Sequence, residues 1–517
     1  MTFPMFLHRA ALRWGDKPAI LHRDKICTFR QLDERSTRLA NALLALGLKK
    51  GDRVAVQSRN CPQLVELECG LYKAGLVKAA LNPRFTPAEV RDVVENCQPR
   101  VMLAGEGYAV YDRTMPGFGS VETFIAIEGD GPGHAAYEEL LAAASTQAPD
   151  VEMLHDDLAV LHFSSGSTGK IKAAMQSYGN RLAAFRKARL GMDGTHGPDD
   201  RLALIGPVTH ASGMLMQPYL YGGVTLVLFD KFEPAHLLKE VERLRITDVF
   251  MVPAMINMLL AEPSLERTDL SSLRRLTYGS APMAPARIRE AWERIGPVLA
   301  QGYGASESTS GVARLSTAEH AEAIACRPER LSSCGRPHTE TQVRVVDALG
   351  REVQGEEIGE IVIRGADVFQ GYWGEQELTR EVLVDGWLHT GDLARVDEQG
   401  FIYLVDRKKD MIISGGFNVY PNEVEAALYR HPEVFEVCVI GVPDTVWGEA
   451  VKAVVALKPG AQTDAASIID HCRSLIADYK SPRSIDFVDE LPKNASGKLA
   501  RKLVREPYWQ GVERRVN

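Results

Sequence analysis

The sequence predicts an α/β protein: a large N-terminal domain of helix-covered sheets with a β-rich subdomain, followed by a small α+β C-terminal domain. Three observations carry this. From about residue 30 to 300, apolar strand-like runs alternate with helical ones, the pattern of parallel sheets covered by helices. Between Gln342 and Val405 the pattern changes to short alternating strands separated by glycine-rich turns. After Arg407 it restarts with helices and strands over about a hundred residues, enough for a small domain. A chain of 517 residues also exceeds what one core usually serves. The predicted division is 1–406 and 407–517.

The elements follow in order. Strands are expected at Arg53–Val56, Leu158–Phe163, Leu202–Ile205, Val224–Phe229 and Val249–Val252. Helices are expected over Ser177–Met192, as a surface helix with a basic face, and over Arg287–Ile295. Gln342–Val346, Ile361–Arg364 and Phe401–Val405 make the β-rich part. The last domain reads as helix Glu423–Arg430, strands Val434–Ile440 and Val451–Leu457, helix Ala465–Ala477 and strand Ile485–Val488.

Composition narrows the class. With 45% apolar and 25% charged residues this is an ordinary globular chain, and a net charge of −8 argues against a dedicated nucleic-acid binder. The eight cysteines never form C-x-x-C, so neither a zinc site nor a disulfide framework is expected. No apolar run reaches the length of a membrane span, and residues 1–9 lack a signal pattern. Cytoplasmic residence is the expectation, with weak attachment to a membrane surface left open. Oligomeric state leaves no pattern in one sequence.

The most informative stretch is Ser164-Ser165-Gly166-Ser167-Thr168-Gly169-Lys170-Ile171-Lys172, which follows a buried strand. Its glycines let backbone N–H groups approach an anion, its hydroxyls donate further bonds, and its lysines supply charge, so it reads as a phosphate-holding loop. Gly166 and Gly169 are too close together for a Walker A loop. Further along come Tyr303-Gly304-Ala305-Ser306-Glu307 and Gly386-Trp387-Leu388-His389-Thr390-Gly391-Asp392. They are followed by Asp406-Arg407-Lys408-Lys409-Asp410, by Ser414-Gly415-Gly416-Phe417, and by Pro492 to Lys498.

In this order, the motifs resemble those of the adenylate-forming superfamily of acyl-CoA synthetases, peptide-synthetase adenylation domains and luciferases, over nearly the whole chain. The resemblance implies a reaction: AMP is placed on a carboxylate with loss of pyrophosphate, and a thiol then displaces the AMP. Ser164, Ser165, Gly166, Ser167, Thr168, Gly169 and Lys172 would hold the β- and γ-phosphates, Thr168 foremost. Ile171 stands where the family often has proline. Tyr303 beside Gly304 would stack on adenine, Ser306 would reach the α-phosphate in place of the usual threonine, and Glu307 would bind Mg²⁺. The segment Tyr278-Gly279-Ser280-Ala281-Pro282 resembles the loop bordering adenine and the acyl group.

By the same resemblance, Asp392 would accept the ribose hydroxyls with Arg407 in support, although the two could also pair as a structural ion bridge. Lys498 would be the catalytic lysine, bridging carboxylate and α-phosphate. Lys409 would be the hinge about which the small domain rotates. One orientation would bring in Lys498; the other would bring in Gly415 and Gly416, lying against the pantetheine arm of CoA.

His210, in Pro207-Val208-Thr209-His210-Ala211-Ser212-Gly213, matches a family histidine bordering the carboxylate and the CoA tunnel. Positions 206–219 hold no Asp, Glu, Lys or Arg, and Met214, Leu215 and Met216 are apolar pocket-lining candidates. The aspartate that anchors an amino-acid amine in peptide-synthetase domains is missing, which argues for a hydrophobic acid, aliphatic or simple aromatic. The expected function is an ATP-dependent acyl-CoA synthetase using Mg²⁺ and CoA. The alternative acceptor is a separate carrier protein.

Overall fold

The computed structural model describes residues 2–510, apart from 130, 132, 166–170, 192, 193, 195, 310 and 494–498. The chain forms two compact units. The first contains the chain through Leu331 together with Gly335–Gln342 and Arg364–Leu388; the second contains Ser332–Cys334, Val343–Ile363 and the chain from His389. The expected boundary at 406/407 runs through the second unit.

The first unit holds two sheets among its described residues. The seven-stranded sheet runs Ala135–Ala136, Thr123–Ala126, Val101–Ala104, Arg53–Gln57, Val77–Leu81, Leu158–Ser165, Ile171–Ser177. It is parallel as far as Leu158–Ser165, which turns back antiparallel into Ile171–Ser177. The nine-stranded sheet runs from Arg336–Pro337 through Gly311–Leu315, Leu299–Gly304, Arg275–Gly279, Asp248–Met251, Arg201–Leu204, Thr225–Leu228 and Pro18–His22 to Lys25–Thr28. Its inner pairings are parallel and its edges antiparallel. Parallel inner strands require helical crossovers, and the alternating pattern supplies them.

The main core lies between these sheets. Val54, Val56 and Leu103 of one meet Leu202, Leu204 and Leu226 of the other through Leu32, Leu39, Leu43, Val65 and Leu67 on intervening helices. Helix Phe29–Ala45 begins in a capping box, with Thr28 accepting from the Gln31 N–H and Gln31 accepting from that of Thr28. Helix Pro62–Ala74 is buried at every position. Its charged residues survive there because each is paired: Glu66 with Arg35, Glu68 with Lys78 and Arg181, Lys73 with Asp33.

The second unit carries the β-rich strands Gln342–Val346, Gly359–Arg364, Trp387–Val396 and Ile402–Arg407, the last two antiparallel. Its C-terminal sheet is built on the long hairpin Val434–Asp444 and Gly448–Leu457; Ile412–Ser414 pairs antiparallel and Ser484–Phe487 parallel with Gly448–Leu457, and Phe417–Val419 pairs with Ile412–Ser414. Helices Pro421–Leu428 and Ala465–Arg473 close a core of Val424, Leu428, Val439, Val451, Val455 and Ile468.

One expected element is corrected. The helix predicted over Ser177–Met192 is Tyr178–Gly191, and its basic residues divide: Arg186 and Arg189 are exposed as expected, but Arg181 and Lys187 are 5% and 2% exposed. Lys187 meets Asp367 and the Thr341 hydroxyl, while Arg181 meets Glu68, Tyr72 and Gln176. Carboxylates far away in sequence hold these two cations inward.

Candidate active site

The site starts at the end of strand Leu158–Ser165. Ser164 pairs with Lys172 and Ser165 with Ile171 across the hairpin. Gly166, Ser167, Thr168 and Gly169, at the tip of the expected phosphate loop, lie outside the described residues, as does Lys170. What is described is the frame that holds this tip.

That frame is tied to a segment no motif indicated. The Met175 N–H donates to the Gly371 carbonyl and the Trp373 N–H to that of Ala173, both at 2.9 Å, and Ala174 bridges Tyr372. The Lys172 ammonium lies over the Tyr372 ring, 5.3 Å from its centroid. The Tyr372 hydroxyl donates to Glu307 Oε1 at 2.6 Å, and the Phe369 N–H to the Glu307 carbonyl at 2.8 Å. Buried Gln176, on the same hairpin strand, donates through Nε2 to the Ser306 carbonyl at 2.9 Å. The phosphate hairpin and the Ser306–Glu307 turn are therefore one bonded assembly. Sequence reasoning missed Tyr372 and Gln176. Only Gly371-Tyr372-Trp373, two aromatics after a glycine, hinted at the former.

The elements expected to border adenine are the ends of neighbouring parallel strands. Gly279 pairs with Gly302, so close that a Cβ at Gly279 would stand 2.4 Å from the Gly302 carbonyl oxygen. Ser280 then takes the left-handed conformation at φ 70°, which turns the chain sharply out of the sheet toward half-buried Ala281 and exposed Pro282. Beneath, buried Tyr278 bonds His320 Nε2 at 2.9 Å, fixing the strand end. Tyr303 is half-buried and Gly304 exposed before the 3₁₀ turn Ser306–Ser308.

His210 caps helix Ala211–Leu220, and its ring stacks on that of His162 with centroids 4.9 Å apart and planes at 22°. On this helix Met214 and Leu215 are half-buried, whereas Met216 and Tyr219 are turned into the main core. Behind the histidines, Glu68 accepts from Lys78, from Arg181 at 3.2 Å and from Gln217 at 2.9 Å.

In the second unit Asp392 and Arg407 are direct cross-strand partners, and Arg407 Nε lies 3.0 Å from Asp392 Oδ1. The anticipated ion bridge forms, with Asp392 buried and Arg407 exposed. Lys409 sits in the turn that follows, where the Asp410 N–H returns to the Arg407 carbonyl. Burial raises the Asp406 carboxyl to about 6 despite nearby Arg501. Arg501 also reaches Asp410 and Glu425, at 3.7 and 2.6 Å, and so anchors the segment following Lys498, itself outside the described residues. Gly415 and Gly416 both have left-handed backbone, at φ 58° and 81°. A Cβ on Gly415 would meet the Trp447 ring at 2.4 Å.

Comparison with known proteins shows the family. The AMP-binding enzyme family matches residues 7–373, and its C-terminal domain family matches 423–498. A feruloyl-CoA synthase from Amycolatopsis sp is 38% identical over 95% of this chain and 96% of its own length. A medium/long-chain-fatty-acid–CoA ligase of Mycobacterium tuberculosis is 34% identical over 98% and 90%. Among solved structures, the amide bond synthetase McbA from Marinactinospora thermotolerans superposes with a TM-score of 0.86 at 30% identity, covering 98% and 100%. The chain belongs to the AMP-binding enzyme family, in its adenylate-forming branch of acyl-CoA synthetases. It is an AMP-forming acid–thiol ligase whose substrates are a small carboxylic acid, ATP and CoA.

The site fits the magnesium ion such enzymes need. Among the described residues no group of three His, Cys, Asp or Glu side chains gathers, so a bound Mg²⁺ would take one protein carboxylate, Glu307, and phosphate and water oxygens. When bound it would neutralise phosphate charge.

Proposed function

We propose that the chain activates a hydrophobic carboxylic acid, aromatic or aliphatic, as its acyl-adenylate and passes the acyl group to CoA. The observation that carries this is the bonding of phosphate hairpin to carboxylate turn through Tyr372 and Gln176. It supports the reading because the residues expected to meet the triphosphate and the metal share one bonded support. A carboxylate oxygen attacks the α-phosphorus, and the bond to the β-phosphate oxygen breaks, with pyrophosphate leaving. The CoA sulfur then attacks the acyl carbon and AMP departs with the bonding pair.

In this reading Ser164, Ser165, Gly166, Ser167, Thr168, Gly169 and Lys172 hold the triphosphate. Tyr303, Gly304 and the Gly279–Pro282 turn receive adenine, Ser306 the α-phosphate, and Asp392 with Arg407 the ribose. Asp392 can do so while paired, since its carboxylate has two oxygens. Lys498 neutralises the crowded α-phosphate, and His210 borders the carboxylate and the thiol's path. The domain after residue 406 turns about Lys409, exchanging Lys498 for Gly415 and Gly416. The uncharged stretch 206–219 and the aryl and fatty acids named for the relatives support a hydrophobic acid.

We place the protein in a reducing, cytoplasmic compartment. All eight cysteines are free, six of them buried. Among the described residues no helix is long and apolar enough to cross a membrane.

The test is AMP release from MgATP across fatty acids, benzoates and cinnamates, with and without CoA. Release confined to one class and strongly stimulated by CoA is expected. Adenylate formation indifferent to CoA would move the acceptor to a carrier protein.

A further inference from the structure

His162 stands on strand Leu158–Ser165, two residues before Ser164, and is 8% exposed. The strand is bonded on both sides, to Val77–Leu81 and to the hairpin partner Ile171–Ser177, so its side chains have fixed origins. Ala80 pairs with His162, which puts Lys78, two residues earlier on the neighbouring strand, on the same face. Lys78 and Arg181 share one carboxylate, Glu68, leaving a net positive charge behind the imidazole. Burial, then His210, then Lys78 and Arg181 hold His162 well below the usual histidine range. It is a neutral ring, offered flat to a second ring. His210, by contrast, sits at the N-cap of a helix, with φ −130° and ψ −144°.

We propose that His162 is a positioning residue for acyl transfer: its ring, stacked on His210, sets the orientation of the His210 ring and couples it to the phosphate-hairpin strand. The inference rests on the reading of His210 as the residue bordering the carboxylate and the thiol's path. An aromatic face against an aromatic face fixes tilt and sliding where an aliphatic neighbour would not. Burial first, and then the neighbouring His210, Lys78 and Arg181, oppose protonation of His162 and so preserve the stack.

The test compares His162→Leu, His162→Phe and His210→Ala with the unaltered full chain in two assays. One is acid-dependent ATP–pyrophosphate exchange; the other is CoA-dependent consumption of preformed acyl-adenylate. His162→Leu is expected to slow transfer about tenfold, as small misplacements of reacting groups do, while exchange stays within about threefold. His162→Phe, which keeps a ring to stack, should recover most of the loss, and His210→Ala should share the asymmetry. Normal transfer in His162→Leu beside slow transfer in His210→Ala overturns the inference. So does equal loss of both half-reactions in His162→Leu and His162→Phe. An unaltered chain that makes adenylate but ignores CoA would instead count against the ligase reading, so the two failures are distinguishable.

Discussion

The groups behind the phosphate hairpin and those around the Lys409 turn are built from similar residues in opposite ways. In the first unit Glu68, Lys78, Arg181 and Gln217 are buried or nearly so, and each is bonded to the others or to neighbouring helices. In the second, Arg407, Lys408, Gly415, Gly416 and Phe417 are all exposed. Their side-chain contacts include Arg407 with Asp392, Lys408 with Glu360 and Phe417 with Tyr479. A buried, fully satisfied network fixes one arrangement, whereas exposed pairs in water contribute little and are readily exchanged. The contrast fits the proposed function, in which the first unit would hold the nucleotide on fixed groups while the second would present different surfaces in turn.

The largest expected effect tests the rigid half. Glu68→Ala leaves Lys78 and Arg181 facing each other without a carboxylate and should cost about 3–5 kcal/mol of unfolding free energy. Urea denaturation of the variant checks this; a cost near zero would mean the network is no more than a surface-like pair. Next, Lys498→Ala should slow adenylation by about 10²–10³ and spare transfer from preformed adenylate, as for other lost electrostatic stabilisers. Pyrophosphate exchange set beside single-turnover thioester formation measures it. Equal losses would remove the distinction between the two presented surfaces.

A smaller effect concerns the carboxylates flanking Lys409, the proposed hinge. Asp406 is raised from 3.8 to about 6, so the folded protein binds its proton more tightly than the unfolded chain does. Its contribution is most favourable below pH 4 and is lost as pH rises through 6, by about 3 kcal/mol. Arg501, Asp410 and Glu425 are the charges around it. In Asp406→Asn the stability–pH slope between 4 and 6 should flatten, whatever its absolute offset. Smallest is Gly415→Ala, where left-handed backbone and the Trp447 ring both oppose a methyl group. We expect the KM for CoA to rise about tenfold with pyrophosphate exchange unchanged.

The motifs themselves were legible because their residues are contiguous. Glycines, hydroxyls and lysine after an apolar run are a local pattern, and Ser280 at the end of strand Arg275–Gly279 turns where Tyr278-Gly279-Ser280-Ala281-Pro282 suggested a loop. Strand and helix periodicity placed most elements within a few residues. The misread helix shows the limit. Arg181 and Lys187 recur like a solvent face, and nothing local reveals that Glu68 and Asp367, more than a hundred residues away, wait opposite them.

The sequence by itself determined the alternation of elements, the order of the motifs and hence the class of chemistry, because backbone propensity and loop composition act over a few residues. Only the tertiary structure decided which partners those motifs have: Tyr372 on Glu307, Gln176 on Ser306, His162 on His210, Arg407 on Asp392. Such pairs depend on sheet register and on burial. Burial makes an unpaired polar group costly enough to select one partner out of many.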